Sequence, residues 1–389
     1  RVFRLIPGLE GAEFVRHDGT ITTTLEVAVS PEYDAEVRRV SISNLGTRTR
    51  EIELTSYAEI VLAPAAADTA HPAFSKLFVQ TEFVAGVGAL LATRRPRSPG
   101  EARIWAAHLA VVEGEAVGGV QYETDRARFL GRGRTVRTPV SVLDTQPLSN
   151  TVGTVLDPIF SLRRRVRIPP GGTARVAFWT LVAPSRSEAL DLADKHQDAT
   201  AFERAVTLAW TQAQVQLHHL GIGPDEALLF QRLAGHVLYS DPNLRPSSAV
   251  QMRGEGGPPT LWTQGISGDL PIVLVRIDEA EDVEIVRQLL RAHEYWRMKR
   301  LAVDLVILNE RPPSYSSDLQ AVLESALRAR PQPDVGPARG SVFVLRAELV
   351  PVEVRNVLQA VARAVLLSRR GSLSEQVRRL TAAPPAVAP

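Results

Sequence analysis

The first half of the chain alternates apolar and polar residues with a period of two, and this pattern constrains its fold more than any other feature. It is clearest in Thr20–Val29, Glu36–Ser43 and Arg50–Leu62, with turn residues such as Asn44 and Gly46 between them. A period of two places alternate side chains on opposite faces of a strand, and short turns join neighbouring strands into antiparallel pairs. Five further segments have strand-like sequence: Lys76–Phe83, Ala89–Arg94, Ile104–Val112, Leu162–Ile168 and Ala174–Val182. So many short strands predict a sandwich or a barrel.

Helical patterns begin after residue 184. Ser185 and Glu188 have the spacing of a capping box, which marks the start of a helix. Thr200–Leu220 and Asp225–Tyr239 then repeat apolar residues at helical spacing. The segment Asp241–Pro259 is rich in Pro, Gly and Ser, which predicts a loop or a linker between domains.

The last third of the chain alternates strand-like and helix-like segments. The apolar runs typical of buried strands are Pro271–Ile277, Leu301–Leu308 and Gly340–Arg346. The segments with helical periodicity are Asp282–Lys299, Ser317–Arg328 and Pro351–Ser368. This order predicts a small α/β unit with parallel strands.

The predicted fold class is therefore multidomain α+β. We expect a β domain at 1–184, a helical linker at 185–245, an α/β domain at 246–382 and a linker tail at 383–389. The chain begins without Met and ends in a stretch of Ala and Pro, so we expect it to be a piece of a longer polypeptide.

Composition argues against several classes of function. The chain has no Cys, which excludes disulfides, thiol catalysis and thiolate metal sites. Its formal net charge of +2 gives no strong field for nucleic acid, and no apolar run approaches the roughly 18 residues that span a bilayer. The adjacent His218 and His219 point in different directions on a helix, so we interpret them as surface or capping residues and not as metal ligands. We predict no metal, no cofactor, no nucleic-acid partner and no direct membrane insertion.

The best candidate for a ligand site is the segment 261–277, LWTQGISGDLPIVLVRI. It brings Trp262, Ser267 and Asp269 close together in a Gly-rich stretch before an apolar run. An aromatic ring beside a carboxylate can hold a sugar, whereas the alternative is a plain turn that leads into a buried strand. Tyr295 and Trp296 end a predicted helix, where we expect one ring to pack and the other to be exposed. Trp179 and Trp210 lie in apolar patterns and are predicted to be core residues.

Several segments together resemble a known family. They are residues 24–62, 71–83, 122–135 and 148–180. They look like the galactose-mutarotase-like β-supersandwich of inverting glycoside phosphorylases such as cellobiose and chitobiose phosphorylases. The resemblance is strongest to the large cyclic β-1,2-glucan synthases, which carry such modules behind a membrane-embedded glycosyltransferase.

The second half of the chain departs from the phosphorylase pattern. The resemblance implies an (α/α)6 barrel whose entry motif supplies an Arg and an Asp, with a later Asp as general acid. Here the entry position reads GISGD, so at most Asp269 matches, and the general-acid motif is absent. Inverting phosphorolysis needs that acid to protonate the leaving oxygen. The sequence therefore predicts a small α/β unit in place of the barrel and no catalytic residue.

Three hypotheses for function remain open from the sequence. The first is a non-catalytic module of a cyclic β-1,2-glucan synthase that binds β-glucan or spaces the catalytic domains. It would be a soluble part of a larger membrane protein, on the cytoplasmic side of a bacterial inner membrane. The second is a phosphorylase or hydrolase that works through Asp269 with Glu294 or Glu310. The third is a structural scaffold that docks onto neighbouring domains of the same polypeptide.

Overall fold

The chain forms two compact units, Arg1–Gln214 and Val215–Pro389. The structure is a computed structural model, and it describes residues 2–7, 11–96, 98, 100–257, 259–312, 316–329 and 340–381. The tail predicted at 383–389 lies outside these residues. The domain boundaries that we expect after residues 184, 245 and 382 stay predictions.

The first unit is a sandwich of two antiparallel sheets with six helices in the described residues. Its strands are β1 (Val2–Pro7), β2 (Gly11–Asp18), β3 (Ile21–Val29), β4 (Ala35–Asn44), β5 (Arg50–Thr55), β6 (Ala58–Glu59), β7 (Val79–Val84), β8 (Ala89–Arg94), β9 (Trp105–Glu113), β10 (Glu115–Asp125), β11 (Pro158–Ile168) and β12 (Thr173–Ala183). Its helices are α1 (Ala65–Ala70), α2 (Pro72–Lys76), α3 (Arg126–Leu130), α4 (Val140–Leu143), α5 (Arg186–Lys195) and α6 (Ala201–Leu220), which contains the division between the units. The large sheet has the order β1-β2-β3-β4-β12-β9-β8-β7, and the small sheet has the order β10-β11-β5, with β6 also paired to β11. The predicted antiparallel sandwich is therefore confirmed.

Both faces of the large sheet are buried at its centre, where alternate side chains of one strand enter two different cores. On β12, Val176 and Phe178 belong to the core against the small sheet, whereas Trp179 and Leu181 belong to the core beneath α5. The hydroxyl of Ser185 accepts a hydrogen bond from the backbone N–H of Glu188 at 3.2 Å, so the predicted cap is formed. The first unit thus has three layers: small sheet, large sheet and helix.

One predicted strand, Arg50–Leu62, is interrupted. The strand β5 ends at Thr55 because the Ser56 hydroxyl takes the place of a backbone acceptor and receives the N–H of Leu162 at 2.9 Å. The backbone N–H of Ser56 still donates to the carbonyl of Leu162 at 2.9 Å. The predicted strand at Lys76–Phe83 begins only at Val79, since Lys76 ends the helix α2.

The second unit contains a four-stranded parallel sheet, which confirms the predicted α/β arrangement. Its strands are β13 (Ile272–Ile277), β14 (Asp304–Asn309), β15 (Val342–Arg346) and β16 (Ala364–Leu367), in the order β15-β14-β13-β16. Its helices are α7 (Pro224–Leu238), α8 (Ser248–Gln251), α9 (Pro259–Trp262), α10 (Val283–Met298), α11 (Ser316–Arg328), α12 (Val352–Val361) and α13 (Leu373–Thr381). All six residues of β14 are buried, as expected for a strand covered on both faces.

The predicted helix Pro351–Ser368 is wrong in its second half. The helix α12 ends at Val361, and Ala362 is extended, with φ −57° and ψ 130°. The apolar run at 364–367 then pairs in parallel with β13 as the strand β16. Short apolar runs do not distinguish a strand from a buried helix turn, so tertiary pairing decides the conformation here.

Candidate functional site

The loop that follows α9 holds the ring of Trp262 at the surface. Leu261 and Ile266 are both 1% exposed and anchor the two ends of the loop, with the N–H of Ile266 donating to the carbonyl of Leu261 at 3.3 Å. Between them the chain reverses at Gly265, whose φ of +74° suits glycine. Trp262 itself is 62% exposed, and its Nε1 donates to the carbonyl of Ser267 at 3.1 Å. The indole is therefore exposed and tethered in one orientation.

Ser267 and Asp269 lie in the same turn as this ring. The Ser267 hydroxyl accepts the N–H of Asp269 at 3.2 Å, which is a local side-chain turn. Both residues are exposed. The structure therefore brings together three of the five residues predicted as ligand contacts: Trp262, Ser267 and Asp269.

The other two predicted contacts, Tyr295 and Trp296, lie in the core of the second unit. Their exposed fractions are 2% and 1%, so the expectation that one ring is exposed is wrong. Gln231 donates from Nε2 to the Tyr295 hydroxyl at 3.0 Å, and Trp296 Nε1 donates to the carbonyl of Phe230 at 3.0 Å. The helix α10 turns both rings toward α7, which supplies both partners, and neither ring is available to a sugar at the surface.

Trp179 and Trp210, which were both predicted to be core residues, differ in burial. Trp179 is 1% exposed and lies in the core, as predicted, but Trp210 is 52% exposed, so the prediction that it is a core residue is wrong. The helix α6 carries apolar residues beyond its buried stripe, and the sequence does not show that Trp210 lies outside that stripe.

The carboxylates proposed as a catalytic pair do not form one. Asp269 lies before β13, at the amino edge of the parallel sheet, whereas Glu310 follows β14 at the carboxyl edge. A strand of six residues separates these edges by about 20 Å, well beyond the reach of a glycosidase carboxylate pair. Glu310 accepts the Nε of Arg276 at 2.8 Å. Glu294 lines a separate cavity of about 350 Å³ next to α10 and α11.

Asp304 is a buried carboxylate that the sequence analysis missed. It begins β14, is 4% exposed and accepts the backbone N–H of Ser341 at 2.9 Å. Burial raises its pKa, and the negative charge of Asp269 raises it further. Its hydrogen bond connects β14 to the start of β15, which indicates a structural role. Among the described residues, no group of three or more His, Cys, Asp or Glu side chains is placed to hold a metal ion.

Comparison with known proteins gives the family. A model of the glycosyl hydrolase 94 supersandwich domain matches residues 3–199, which is just over half of the chain. The chain belongs to this family. The match covers the first unit up to the end of α5, so it identifies the two packed sheets as a supersandwich.

One relative extends this likeness through both units. The cyclic β-(1,2)-glucan synthase NdvB of Rhizobium meliloti (strain 1021) is 43% identical over 378 residues, which make up 96% of this chain and 13% of that synthase. The chain thus spans a small part of the length of the synthase that it matches. Likeness to solved structures is weak. A bacterial glucoamylase complexed with acarbose has 9% identity and a TM-score of 0.34, covering 54% of this chain and 28% of the other. A polysaccharide lyase has 11% identity and a TM-score of 0.28, covering 46% and 23%.

Proposed function

We propose that this segment is a non-catalytic module of a cyclic β-1,2-glucan synthase, and that it binds β-glucan at the loop of Trp262. The observation that carries the proposal is the exposed and tethered indole of Trp262 beside Ser267 and Asp269. The 43% identity to a synthase of this name, over nearly the whole chain, supports β-glucan as the ligand.

The chemistry of the loop suits a pyranose ring. Trp262 offers a flat apolar face, and the face of a sugar ring that carries C–H groups can pack against it. Asp269 can accept hydrogen bonds from sugar hydroxyls beside that face. Because the turn already fixes the indole, little side-chain entropy is lost on binding, which favours affinity.

The arrangement of acidic groups supports a non-catalytic role. Asp269 lies at the opposite edge of the parallel sheet from Glu310, and Glu294 lines another cavity. Glycoside cleavage needs an acid and a second group across one sugar bond. This separation supports a role other than catalysis by Asp269 with Glu310 or Glu294.

We also propose that the segment contacts neighbouring domains of a larger membrane protein on the cytoplasmic side of a bacterial inner membrane. The support is the small share of the synthase that the chain spans. Within the part of the chain that the structure describes, every helix is too short or too polar to cross a bilayer.

Replacement of Trp262 tests the binding site. Because the ring is exposed, Trp262→Ala should leave the fold unchanged and weaken binding of a linear β-1,2-glucan oligosaccharide by at least about tenfold. Isothermal titration calorimetry measures the affinity, and circular dichroism checks the fold. Trp210→Ala is the matched control, since it removes another exposed indole and should keep wild-type affinity.

Two outcomes would contradict the proposal. Equal affinity of the Trp262→Ala variant and the wild-type chain would show that the sugar binds elsewhere. No heat from the wild-type chain at millimolar oligosaccharide would remove the binding role and leave that of a spacer between domains.

A further inference from the structure

A cleft of about 650 Å³ opens in the first unit, between the large sheet and the edge of the small sheet. Residues of β3, β4, β5, β9 and β12 line it, together with the turn between β5 and β6. Its volume lies in the usual range of small-molecule sites. It belongs to the first unit, whereas the loop of Trp262 belongs to the second.

The topology explains why the cleft is open. The strand β5 ends the order β10-β11-β5 of the small sheet, whereas β4 and β3 continue the large sheet beyond β12. At the centre of the large sheet, the inner face packs against the small sheet. On β4 and β3, beyond the edge of the small sheet, side chains of the same face line the cleft instead. Leu25 and Val40 pair across β3 and β4 and form an apolar wall, and Val29 is 58% exposed at the rim.

The floor of the cleft is a chain of three polar side chains. His108 is 3% exposed; its Nε2 lies 2.8 Å from the Ser56 hydroxyl, and its Nδ1 lies 3.1 Å from the Thr180 hydroxyl. The imidazole is stacked with the rings of Phe160 and Phe178, at centroid distances of 5.6 Å and 6.1 Å. Burial lowers the pKa of His108 to about 4, so the imidazole is neutral near pH 7.

A neutral imidazole has one donor and one acceptor nitrogen, so its two partners have different roles. The Ser56 hydroxyl proton has two acceptors within reach, the Leu162 carbonyl at 3.4 Å and His108 Nε2 at 2.8 Å, and we assign it to the nearer nitrogen. The N–H at Nδ1 then donates to Thr180. In this arrangement the hydroxyl proton of Thr180 stays free to donate to a bound molecule in the cleft.

The wall opposite the large sheet carries a fixed aromatic ring. The Tyr57 hydroxyl donates to a carboxylate oxygen of Glu59 at 2.8 Å and accepts the Nε of Arg126 at 3.1 Å. Its ring also packs against Phe129, with 5.1 Å between centroids. Burial, assisted by Glu59, raises the pKa of Tyr57 to about 12, which keeps the phenol neutral. The ring is therefore held in place before a ligand arrives.

The rim carries one ion pair and one further carboxylate, that of Asp34, so its charged groups sum to a negative charge. Arg38 donates from Nε to a carboxylate oxygen of Glu36 at 2.6 Å, and both residues line the cleft. An anionic ligand would compete with Glu36 for this guanidinium and would be repelled by Asp34, whereas both carboxylates can accept hydrogen bonds from the hydroxyl groups of a neutral ligand. Apolar walls, a fixed ring and neutral hydroxyls instead suit an uncharged polyol with one apolar face.

We propose that this cleft binds one neutral pyranose unit, with its apolar face toward Tyr57 and a hydroxyl group accepting the free proton of Thr180. This is a second sugar site, separate from the loop of Trp262 and independent of it.

A blocking substitution at the rim tests the cleft. The experiment uses the full chain carrying Trp262→Ala, so that sugar at the proposed loop site does not contribute, and glucose as the probe. Saturation-transfer NMR at millimolar glucose should show contact with the protein. Because Val29 is exposed, Val29→Trp should fill the cleft without disturbing the core and weaken glucose binding by at least about tenfold. The matched control is Leu45→Trp, at a residue 69% exposed outside the cleft, and it should bind glucose as the parent does.

The outcomes separate this proposal from the one at Trp262. Glucose contact that is lost in Val29→Trp and kept in Leu45→Trp supports the cleft, whatever Trp262→Ala does to oligosaccharide binding. Equal signals in both variants, or no signal in the parent, would overturn it. Displacement of glucose by inorganic phosphate would also overturn it, because that would identify an anion site.

Discussion

Trp296→Ala is expected to lower the free energy of unfolding of the second unit by about 3–5 kcal/mol, the usual cost of removing a buried tryptophan. The ring is 1% exposed and is among the largest fully buried side chains of the chain. Its loss leaves a cavity between α10 and α7 and also removes the donor to the carbonyl of Phe230. Urea unfolding monitored by circular dichroism measures the change.

Two further variants separate packing from hydrogen bonding and the core from the surface. Trp296→Phe keeps much of the apolar volume but loses the N–H, so it should cost less than Trp296→Ala. Trp262→Ala removes the same side chain from an exposed position and should change stability by no more than about 0.5 kcal/mol. A similar small effect for Trp296→Ala would contradict the burial of this ring and would restore it as a possible sugar contact.

The sandwich could be predicted because its signal is local. The strand β3 alternates along most of its length, and the runs β1-β2-β3-β4 and β7-β8-β9 of the large sheet pair sequence neighbours, with only β12 brought in from a distance. The helix start at Ser185 could be predicted for the same reason, because the cap involves only residues 185 to 188. In each case the residues that decide the conformation are adjacent in the sequence.

The elements that were missed depend on distant partners. The strand β10 contains Gly118 and Gly119, which weaken a strand pattern, and its pairing with β11 is irregular between Val117 and Gln121. The strand β16 has four residues and is defined by its pairing with β13, about ninety residues earlier. Neither partner can be identified from the pattern of the segment alone.

The candidate sites also divide into those that the local sequence indicates and those that depend on distant partners. Trp262 could be identified because Gly265 and Gly268 mark a loop around an aromatic residue. The burial of Tyr295 and Trp296 could not, because it depends on α7 packing against that face of α10. The cleft could not be predicted from the sequence either. Its floor joins Ser56, His108 and Thr180, which are far apart in the chain. An isolated histidine in an apolar strand gave no signal for a site.

The buried His108 should make the first unit less stable in mild acid. Its pKa is lowered to about 4 in the folded chain, mainly by burial, against an ordinary value of about 6.5 in the unfolded chain. Between these values the unfolded chain binds a proton that the folded chain does not. The contribution of His108 is therefore fully present above about pH 6.5 and is lost as the pH falls to about 4, by on the order of 3 kcal/mol in total.

Replacement of His108 by an amide isolates this effect from the carboxylates that titrate in the same range. The wild-type chain and His108→Gln are unfolded in urea at several values between pH 4 and pH 7.5. The variant is less stable near pH 7 because its amide does not reproduce both hydrogen bonds, and its deficit should shrink by on the order of 3 kcal/mol toward pH 4. His219→Gln, at an exposed histidine on α6, is the matched control and should follow the wild-type curve. A constant difference between wild type and His108→Gln across the range would mean that His108 titrates normally, and the neutral hydrogen-bonded floor of the cleft would then be wrong.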